Sequence, residues 1–151
     1  MVTRRPLNIV NVKVKKLNPA AEMPKQSHKW DAGWDLTAVR VERIGKNRVK
    51  VYSGIAVEIP EGYQGELRAR SSIHKKDGEV ILSNCVGTID AGYRGEVMAV
   101  FYCSDLCKLP FAVGERFAQL VIMPVPDVVF LEVDTLSESD RGTGGYGSTG
   151  R

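Results

Sequence analysis

Prolines and glycine-containing turns interrupt this chain at short intervals, and their spacing excludes a fold built from long helices. A proline removes a backbone N–H donor and breaks the interior of a helix, and seven prolines recur along the 151 residues. Turn pairs such as Glu61-Gly62 and Asp77-Gly78 add further breaks. The chain must therefore consist of short segments joined by turns. The prolines lie at positions 6, 19, 24, 60, 110, 124 and 126.

Apolar residues occupy every second position in several segments between these turns, which indicates β-strands with one buried and one solvated face. Residues 97–102 and 120–125 are apolar almost throughout and rich in β-branched and aromatic side chains, so we expect strands covered on both sides there. The alternation occurs at Val10, Val12 and Val14, at Val49 and Val51, and at Ile55, Val57 and Ile59.

Many short strands with frequent turns predict an all-β fold, a distorted β-barrel or jelly roll. The β pattern lapses at residues 71–76, where we expect one short helical turn and no other helix. The length is that of a single domain. We assign residues 1–136 to the barrel. Residues 137–151 have almost no aliphatic side chains to bury, so we assign them to a flexible C-terminal tail of the same domain.

The charge and the cysteine content limit the kinds of partner and the cellular compartment that we expect. The net charge of +3 suits an anionic ligand, but the basic residues form no long block that would require nucleic acid. No run approaches the roughly 18 apolar residues of a membrane helix, and the N-terminus lacks the apolar stretch of a secretory signal. The odd set Cys85, Cys103 and Cys107 makes no disulfide framework. We therefore expect no nucleic-acid or membrane partner and a location in the cytoplasm or another reducing intracellular compartment.

The tail has the chemistry of an anion-binding segment. Its closely spaced glycines allow the backbone to approach a ligand and to form a nest of N–H donors. Arg141 would add a fork-shaped cation, Ser148 and Thr149 would add hydroxyl donors, and Tyr146 could stack on a base. The segment is not a Walker loop, because it lacks the GK[ST] ending. On the tail alone, a flexible linker and a lid over a polyphosphate are equally compatible with the sequence.

Four other segments precede the tail in a fixed order. They are DAGWDL at residues 31–36, RSS at 70–72, GTIDAGYRG at 87–95 and GERFAQL at 114–120, followed by RGTGGYGSTG at 141–150. Together they resemble the five motifs of the homotrimeric dUTPase family (deoxyuridine 5′-triphosphate nucleotidohydrolase). The resemblance extends from about residue 30 to the end of the chain. It implies a Mg²⁺-dependent enzyme that hydrolyses dUTP to dUMP and pyrophosphate, keeping uracil out of DNA, with sites shared between three chains.

Asp90 is the residue we expect to carry the chemistry. A carboxylate in a tight β-turn can accept a hydrogen bond from water and orient it, although an aspartate in such a sequence can also be a simple turn former. The resemblance implies the first role, with water attacking the α-phosphorus. It also implies that Tyr93 packs on the deoxyribose and leaves no room for a 2′-hydroxyl. By itself, a tyrosine at this position would more often be an ordinary strand residue that faces a neighbour.

The resemblance also implies roles for the remaining motif residues. Backbone groups of the hairpin that leads into GTIDAGYRG would recognise uracil, and Asp35 would hold Mg²⁺ through water. The expected nucleoside-binding residues are Asn84, Gly87, Thr88, Ile89, Asp90, Tyr93, Met98, Tyr146 and Gly147. The expected phosphate-binding residues are Arg70, Ser71, Ser72, Gln119, Arg141, Ser148 and Thr149.

The chain departs from the family pattern in a few places. Ala69 stands where many members have proline, Tyr146 stands where many have phenylalanine, and residues 25–30 are unlike the usual lead-in. The changes at Ala69 and Tyr146 remove no functional group, and the sequence gives no physical reason for residues 25–30. The alternatives are a dCTP deaminase, whose relatives share the fold but are longer and lack such a tail, and a non-catalytic β-barrel that binds nucleotides or single-stranded nucleic acid.

Overall fold

Two antiparallel β-sheets make up the fold in a computed structural model that describes residues 9–105 and 108–145. The first sheet has the order β1-β4-β8-β6, with β3 also paired to β4, and the second has the order β2-β9-β5-β7. The strands are β1 (Lys13–Lys16), β2 (Trp34–Thr37), β3 (Arg40–Arg43), β4 (Arg48–Glu58), β5 (Tyr63–Ala69), β6 (Val80–Leu82), β7 (Val86–Ile89), β8 (Glu96–Cys103) and β9 (Arg116–Pro124).

The inner faces of both sheets contribute to one hydrophobic core. Val49 and Phe101 of the first sheet and Leu67 and Phe117 of the second are all buried in the same cluster. The arrangement confirms the all-β prediction, as a distorted barrel that does not close into a continuous ring of strands. The helical turn predicted at residues 71–76 is confirmed as a 3-10 turn, Ser71–Lys75.

Strand β4 bends at a bulge. The Cα pairing with β8 shifts between Tyr52 and Ala56, and Gly54 has a φ of 69°, which favours glycine. The Ser53 hydroxyl donates to the Val97 carbonyl at 2.5 Å, and the Gly54 N–H donates to a Glu96 carboxylate oxygen at 2.8 Å. These bonds satisfy the polar groups that the irregular pairing leaves without partners.

Two expectations about the strands are wrong. The strand at residues 97–102 is buried on one face only, because its residues alternate between buried and partly exposed within this chain. The chain leading into GTIDAGYRG is not a regular hairpin. The residues of β6 belong to the first sheet and those of β7 to the second, so the turn between them carries the chain across the sandwich. Cys85, with a φ of 59°, lies in that turn.

Among the described residues, the last strand ends at Pro124, before the predicted start of the tail. Residues 125–136 contain no strand or helix, and their apolar side chains are exposed, with Phe130 at 94% and Leu136 at 83%. The division at residue 136 therefore stays a prediction. Among the described residues, no helix is long and apolar enough to cross a membrane.

Candidate active site

A row of polar side chains crosses the outer face of the second sheet. Asp35 on β2 lies opposite Gln119 on β9, and Gln119 lies opposite Arg68 on β5. Directly opposed residues in a sheet share a face, and the neighbouring residues Leu36 and Leu67 point into the core. Strand pairing therefore brings together three polar groups that are far apart in the sequence.

Asp35 is the centre of an ion-pair network. Its Oδ1 accepts a hydrogen bond from Arg70 Nε at 2.8 Å, and its Oδ2 accepts from Arg70 Nη2 at 3.3 Å. Oδ2 also accepts from Arg116 Nη1 at 2.9 Å and from the Ser27 hydroxyl at 3.3 Å. The Asp35 side chain is only 12% exposed, so this partly buried carboxylate is balanced by two guanidinium groups.

The unusual lead-in at residues 25–30 brings Ser27 to this network. Lys25 forms an isolated backbone bridge with Asp35, which returns the segment alongside β2. The His28 N–H donates to the Asp31 carboxylate at 2.9 Å, and the Gln26 side chain donates to the Asp31 carbonyl at 2.5 Å. The lead-in is thus a hydrogen-bonded loop whose Ser27 hydroxyl also accepts from Arg116 Nη1 at 3.1 Å.

Gln119 is held in place from two sides. Its Nε2 donates to the Ala69 carbonyl at 3.1 Å, which satisfies the hydrogen-bonding requirement of a polar side chain within an apolar strand. A Cβ on Gly33 would lie 2.0 Å from Gln119 Oε1, so the side chain occupies the space that glycine leaves open. A larger residue at Gly33 would therefore clash with the Gln119 side chain, which explains the glycine of DAGWDL.

Several of these residues line one cavity of about 410 Å³. Asp35, Arg70, Ser71 and Gln119 are among them, so four sequence-predicted residues meet there. Ser72 does not line it, but accepts a hydrogen bond from Arg70 Nη1 at 3.3 Å. The other lining residues are Ser27, Asp31, Ala32, Gly33, Arg68 and Val121. We call this space the polar cavity.

The turn that carries Ser71 is fixed to the base of β9 by an ion pair between Lys76 and Glu115. Partial burial acts to raise the pKa of the Glu115 carboxyl. The hydrogen bonds from Lys76 and the Ala112 N–H, with the charges of Lys76 and Arg70, outweigh that effect and lower the pKa below its usual range. Glu115 is therefore ionised at neutral pH and holds the 3-10 turn next to the polar cavity.

A second cavity, of about 360 Å³, opens beside β7 and β8. All seven predicted nucleoside-binding residues within the described part of the chain line it. We call it the nucleoside groove. The residues that line it are Leu67, Ser83, Asn84, Gly87, Thr88, Ile89, Asp90, Tyr93, Glu96, Val97, Met98, Ala99 and Val100.

Asp90 follows the last residue of β7 and begins the turn to β8. The turn is closed by a hydrogen bond from the Tyr93 N–H to the Asp90 carbonyl at 3.0 Å. The Asp90 side chain is exposed, and it accepts no hydrogen bond from residues 9–105 or 108–145. The carboxylate is therefore available to bind a water molecule at the edge of the groove.

The Tyr93 ring is fixed across the same turn. Its hydroxyl donates to the Glu96 carbonyl at 3.0 Å. A Cβ on Gly95 would lie 2.4 Å from that hydroxyl and 2.6 Å from the ring carbon that bears it, so the ring packs directly over the glycine. The Arg94 guanidinium donates to the Ala91 carbonyl at 2.6 Å and stiffens the turn. The groove thus has a rigid aromatic wall.

The two cavities have no lining residue in common. Leu67 lines the nucleoside groove and its neighbour Arg68 lines the polar cavity, which places the two spaces on opposite faces of β5. Arg141 lines neither cavity, and its Nε donates to the Gly144 carbonyl at 2.9 Å. The predicted residues Tyr146, Gly147, Ser148 and Thr149, as well as Cys107, lie outside the described residues.

The polar residues that the sequence did not single out include Arg116, Ser27, Arg68 and Glu96, which lie in or beside the two cavities. Arg116 lies within the segment GERFAQL, so the motif could have drawn attention to it. Its ion pair with Asp35 could not be predicted from the motif. Ser27 and Arg68 depend on the loop and on strand register, which no local pattern encodes. Glu96 follows GTIDAGYRG directly and lines the groove.

The side chains of the polar cavity could contact Mg²⁺ through a water molecule but could not enclose the ion by themselves. No group of three or more His, Cys, Asp or Glu side chains that could hold a metal occurs in the part of the chain that the structure describes. A carboxylate oxygen accepts about two hydrogen bonds, and Asp35 Oδ1 accepts one. One position on Oδ1 therefore remains for a water molecule, which fits an ion held mainly by a ligand and its waters.

Comparisons with known proteins agree with this geometry. A sequence model described as dUTPase matches residues 19–150. The deoxyuridine 5′-triphosphate nucleotidohydrolase of Thermobifida fusca is 41% identical over 143 residues, covering 93% of this chain and 79% of that protein.

Solved structures show the same similarity. A mutant of the Staphylococcus bacteriophage 80alpha dUTPase with dUpNHpp has a TM-score of 0.81 and 30% identity, over 93% of this chain and 99% of that one. A mutant of the dUTPase from phage phi11 of S. aureus, described with the coordination of a structural Mg(II) ion, has a TM-score of 0.70 and 26% identity. It covers 83% of this chain and 97% of that one.

Proposed function

The chain belongs to the dUTPase family and hydrolyses dUTP, and from this premise we propose how its residues perform the reaction. The observation that carries the proposal is the meeting of seven predicted nucleoside-binding residues in one groove, with the unpaired Asp90 carboxylate at its edge.

In the proposed reaction, Asp90 orients a water molecule toward the α-phosphorus. A bond forms between the water oxygen and the α-phosphorus as the bond between the α-phosphorus and the oxygen that bridges to the β-phosphate breaks. The water gives up a proton to solvent. The products are dUMP and pyrophosphate.

Uracil is recognised by backbone groups of β7 and the turn before it. Main-chain donors and acceptors at Gly87, Thr88 and Ile89 cannot rotate to suit cytosine, so the wrong base leaves polar groups without partners. Gly87 lies close to the Asn84 and Leu67 side chains, with both within 3.3 Å of the position of a Cβ. Such a closely packed wall leaves no space for the methyl group of thymine. The fixed Tyr93 ring excludes a 2′-hydroxyl.

The triphosphate binds at the polar cavity. Arg70 is the central cation there, and Asp35 fixes the orientation of its guanidinium group through two hydrogen bonds. Ser71 and Gln119 add neutral donors. This assignment makes Asp35 a positioning residue for Arg70 as well as a candidate acceptor for a magnesium-bound water.

Mg²⁺ is the cofactor that we propose, and Asp35 would hold it through water beside the substrate phosphates. When bound, it would neutralise part of the charge that develops on the departing pyrophosphate. The similarity to the phage phi11 enzyme with its Mg(II) ion supports the choice of metal. Two arginines flank Asp35, so the bare site repels a further cation and depends on the nucleotide for metal binding.

We propose a homotrimer in which each site combines groups from different chains. The two cavities lie on opposite faces of β5, so one chain cannot easily bring the nucleoside groove and the polar cavity to one substrate. The exposed apolar side chains of residues 125–136 also need a cover, and a second copy of the chain provides it. Arg141, Tyr146, Gly147, Ser148 and Thr149 would then close over the substrate as a lid.

The cytoplasm, or another reducing intracellular compartment, is the location that we propose. Cys85 and Cys103 are both free cysteines, and Cys85 is exposed. An exposed thiol with no disulfide partner among the described residues suits a reducing compartment.

The test of the mechanism is the substitution Asp90→Asn. Asparagine keeps the size of the side chain but loses the charge that holds the water, so dUTP turnover should fall at least about a thousandfold while dUpNHpp binding stays within a fewfold of wild type. Pyrophosphate release measures turnover and calorimetry measures binding. Asp77→Asn, in another exposed turn, is the matched control and should remain active.

A substrate panel separates the alternatives. With magnesium present, dUTP should release pyrophosphate, whereas dCTP, dTTP and UTP should release little. Ammonia released from dCTP would indicate a deaminase. Salt-sensitive oligonucleotide binding without turnover would indicate a non-catalytic barrel.

A further inference from the structure

We propose that Arg68 is an additional triphosphate-binding residue of this enzyme and that Glu66 is the positioning residue that holds it. The proposal rests on the assignment of the polar cavity to the substrate phosphates. Arg68 belongs to none of the five motif segments, so the argument comes from its position and its contacts.

Strand register places Arg68 in the row that forms the polar cavity. It lies opposite Gln119, which lies opposite Asp35, and all three line the cavity. Arg68 precedes Arg70 by two residues, and both arginines line the polar cavity. A triphosphate that contacts both Arg70 and Gln119 therefore lies within reach of the Arg68 guanidinium.

The hydrogen bonds of Arg68 leave one end of its guanidinium available. Nε donates to Glu66 Oε2 at 2.9 Å, and Nη2 pairs with the same oxygen. Nη1 has no partner among residues 9–105 and 108–145. Glu66 is itself only 18% exposed and accepts from Gln64 Nε2 at 3.3 Å, so the carboxylate is an anchored partner. The fixed guanidinium loses less conformational entropy when it binds an anion.

The charge of the cavity lining also supports this role for Arg68. Its lining contains Asp31 and Asp35 as well as Arg68 and Arg70. Without Arg68, Arg70 would be the one cation among the described lining residues, and Arg70 already pairs with Asp35. A polyanion would then meet a lining with more carboxylates than guanidinium groups. With Arg68 present, the lining carries a second cation, and its carboxylate partner Glu66 lies outside the lining.

The experiment compares Arg68→Met with Arg48→Met. Methionine keeps the length of the apolar stem but removes the charge, and Arg48 is an exposed arginine of β4 outside both cavities. We expect Arg68→Met to raise the KM for dUTP about tenfold, the loss typical of one charged hydrogen bond. We expect kcat to change less than twofold. In Arg68→Met, the affinity for dUpNHpp should fall much more than the affinity for dUMP, measured by inhibition, because dUMP carries less charge.

Further variants identify the cause. Arg68→Lys keeps the charge and should recover part of the affinity, and Glu66→Gln should raise KM by less than Arg68→Met does. Thermal unfolding checks that each variant is folded. If Arg68→Met is unstable, Arg68→Lys and Glu66→Gln carry the test through their KM values.

Gln119→Ala separates the proposal from its premise. If Gln119→Ala raises KM and Arg68→Met behaves like Arg48→Met, then Arg68 is only a surface ion-pair residue and the proposal is wrong. If neither variant changes the KM for dUTP, the assignment of the polar cavity to phosphate is wrong, and the proposal falls with it.

Discussion

A missing side chain at Gly95 positions the aromatic wall of the nucleoside groove. The Tyr93 ring occupies the space in which a Cβ would lie, and its hydroxyl is bonded to the Glu96 carbonyl. An alanine at Gly95 would push the ring off that carbonyl. We expect Gly95→Ala to raise the KM for dUTP and to increase the hydrolysis of UTP relative to dUTP about tenfold, because the ring no longer excludes the 2′-hydroxyl.

Gly92→Ala is the control within the same turn. A Cβ on Gly92 would meet no atom within 4 Å, so this variant should keep the discrimination between dUTP and UTP. Competition assays with both nucleotides measure the ratio directly. An unchanged ratio in Gly95→Ala would show that Tyr93 does not select the sugar.

Asp35 is the residue that we propose contacts magnesium through water. Two guanidinium groups neutralise its charge, and one position on Oδ1 remains for a water. We expect a calorimetric titration of Mg²⁺ into the nucleotide-free protein to show no binding below about 1 mM, and a titration in the presence of dUpNHpp to show clear binding. Tight magnesium binding without nucleotide would contradict the assignment of the ion to the substrate phosphates.

The bulge of β4 shows how an irregularity in one strand supports the site on another. Gly54 has a positive φ, and a Cβ there would lie 2.9 Å from a Val39 methyl carbon and 3.0 Å from the Ala21 methyl carbon. Its N–H binds Glu96, which lies at the start of β8 and lines the nucleoside groove. We expect Gly54→Ala to lower the free energy of unfolding by more than about 2 kcal/mol, through backbone strain and crowding together.

Gly62→Ala isolates the backbone part of this effect. Gly62 has a φ of 78°, but a Cβ there would meet no atom within 4 Å. Urea unfolding of the two variants at one protein concentration should show a smaller loss for Gly62→Ala, about 1 kcal/mol. Equal losses would show that crowding at the bulge is unimportant.

Local sequence patterns account for most of the individual strands. The odd-numbered apolar residues from Val49 to Val57 predict one buried face, and in the structure all of them are buried on β4. The bulge between Tyr52 and Ala56 adds two residues to β4 relative to β8, so it does not change which residues face inward. Periodicity could not show that Val100 and Tyr102 face outward, since an apolar run does not reveal which of its faces is covered.

Many of the residues that line the two cavities could be predicted from the sequence, but their arrangement in space could not. The motif segments identified Asp90 and Tyr93, which lie in one turn and depend on local structure. The row of Asp35, Gln119 and Arg68 depends on the register of three strands from distant parts of the sequence. Such pairing arises from tertiary packing, so neither Arg68 nor the contact between Arg116 and Asp35 could be read from spacing.

Two features of the described surface bear on how the chain assembles. The last strand is followed by residues 125–136, which expose Phe130, Leu131 and Leu136 almost fully. The two cavities lie on opposite faces of β5 and have no residue in common. Both features have one explanation if copies of the chain cover each other's apolar segments and bring the groove of one copy to the polar cavity of another.

Mixed trimers test this explanation. An Asp90→Asn chain lacks the water-orienting carboxylate, and an Arg70→Met chain lacks the central phosphate-binding cation, so each homotrimer should be nearly inactive. When the two are unfolded together and refolded, a shared site can combine Asp90 from one chain with Arg70 from the other. Random assembly should then restore about a quarter of the wild-type activity.

The control replaces the Arg70→Met chain with a chain that carries both substitutions. That mixture contains no intact Asp90, so it should stay inactive although it forms the same trimers. Light scattering verifies the assembly state of each mixture. If every site lay within one chain, each site in the first mixture would lack either Asp90 or Arg70, and no activity would return. Recovery of activity in the first mixture alone therefore requires that groups from two chains act on one substrate.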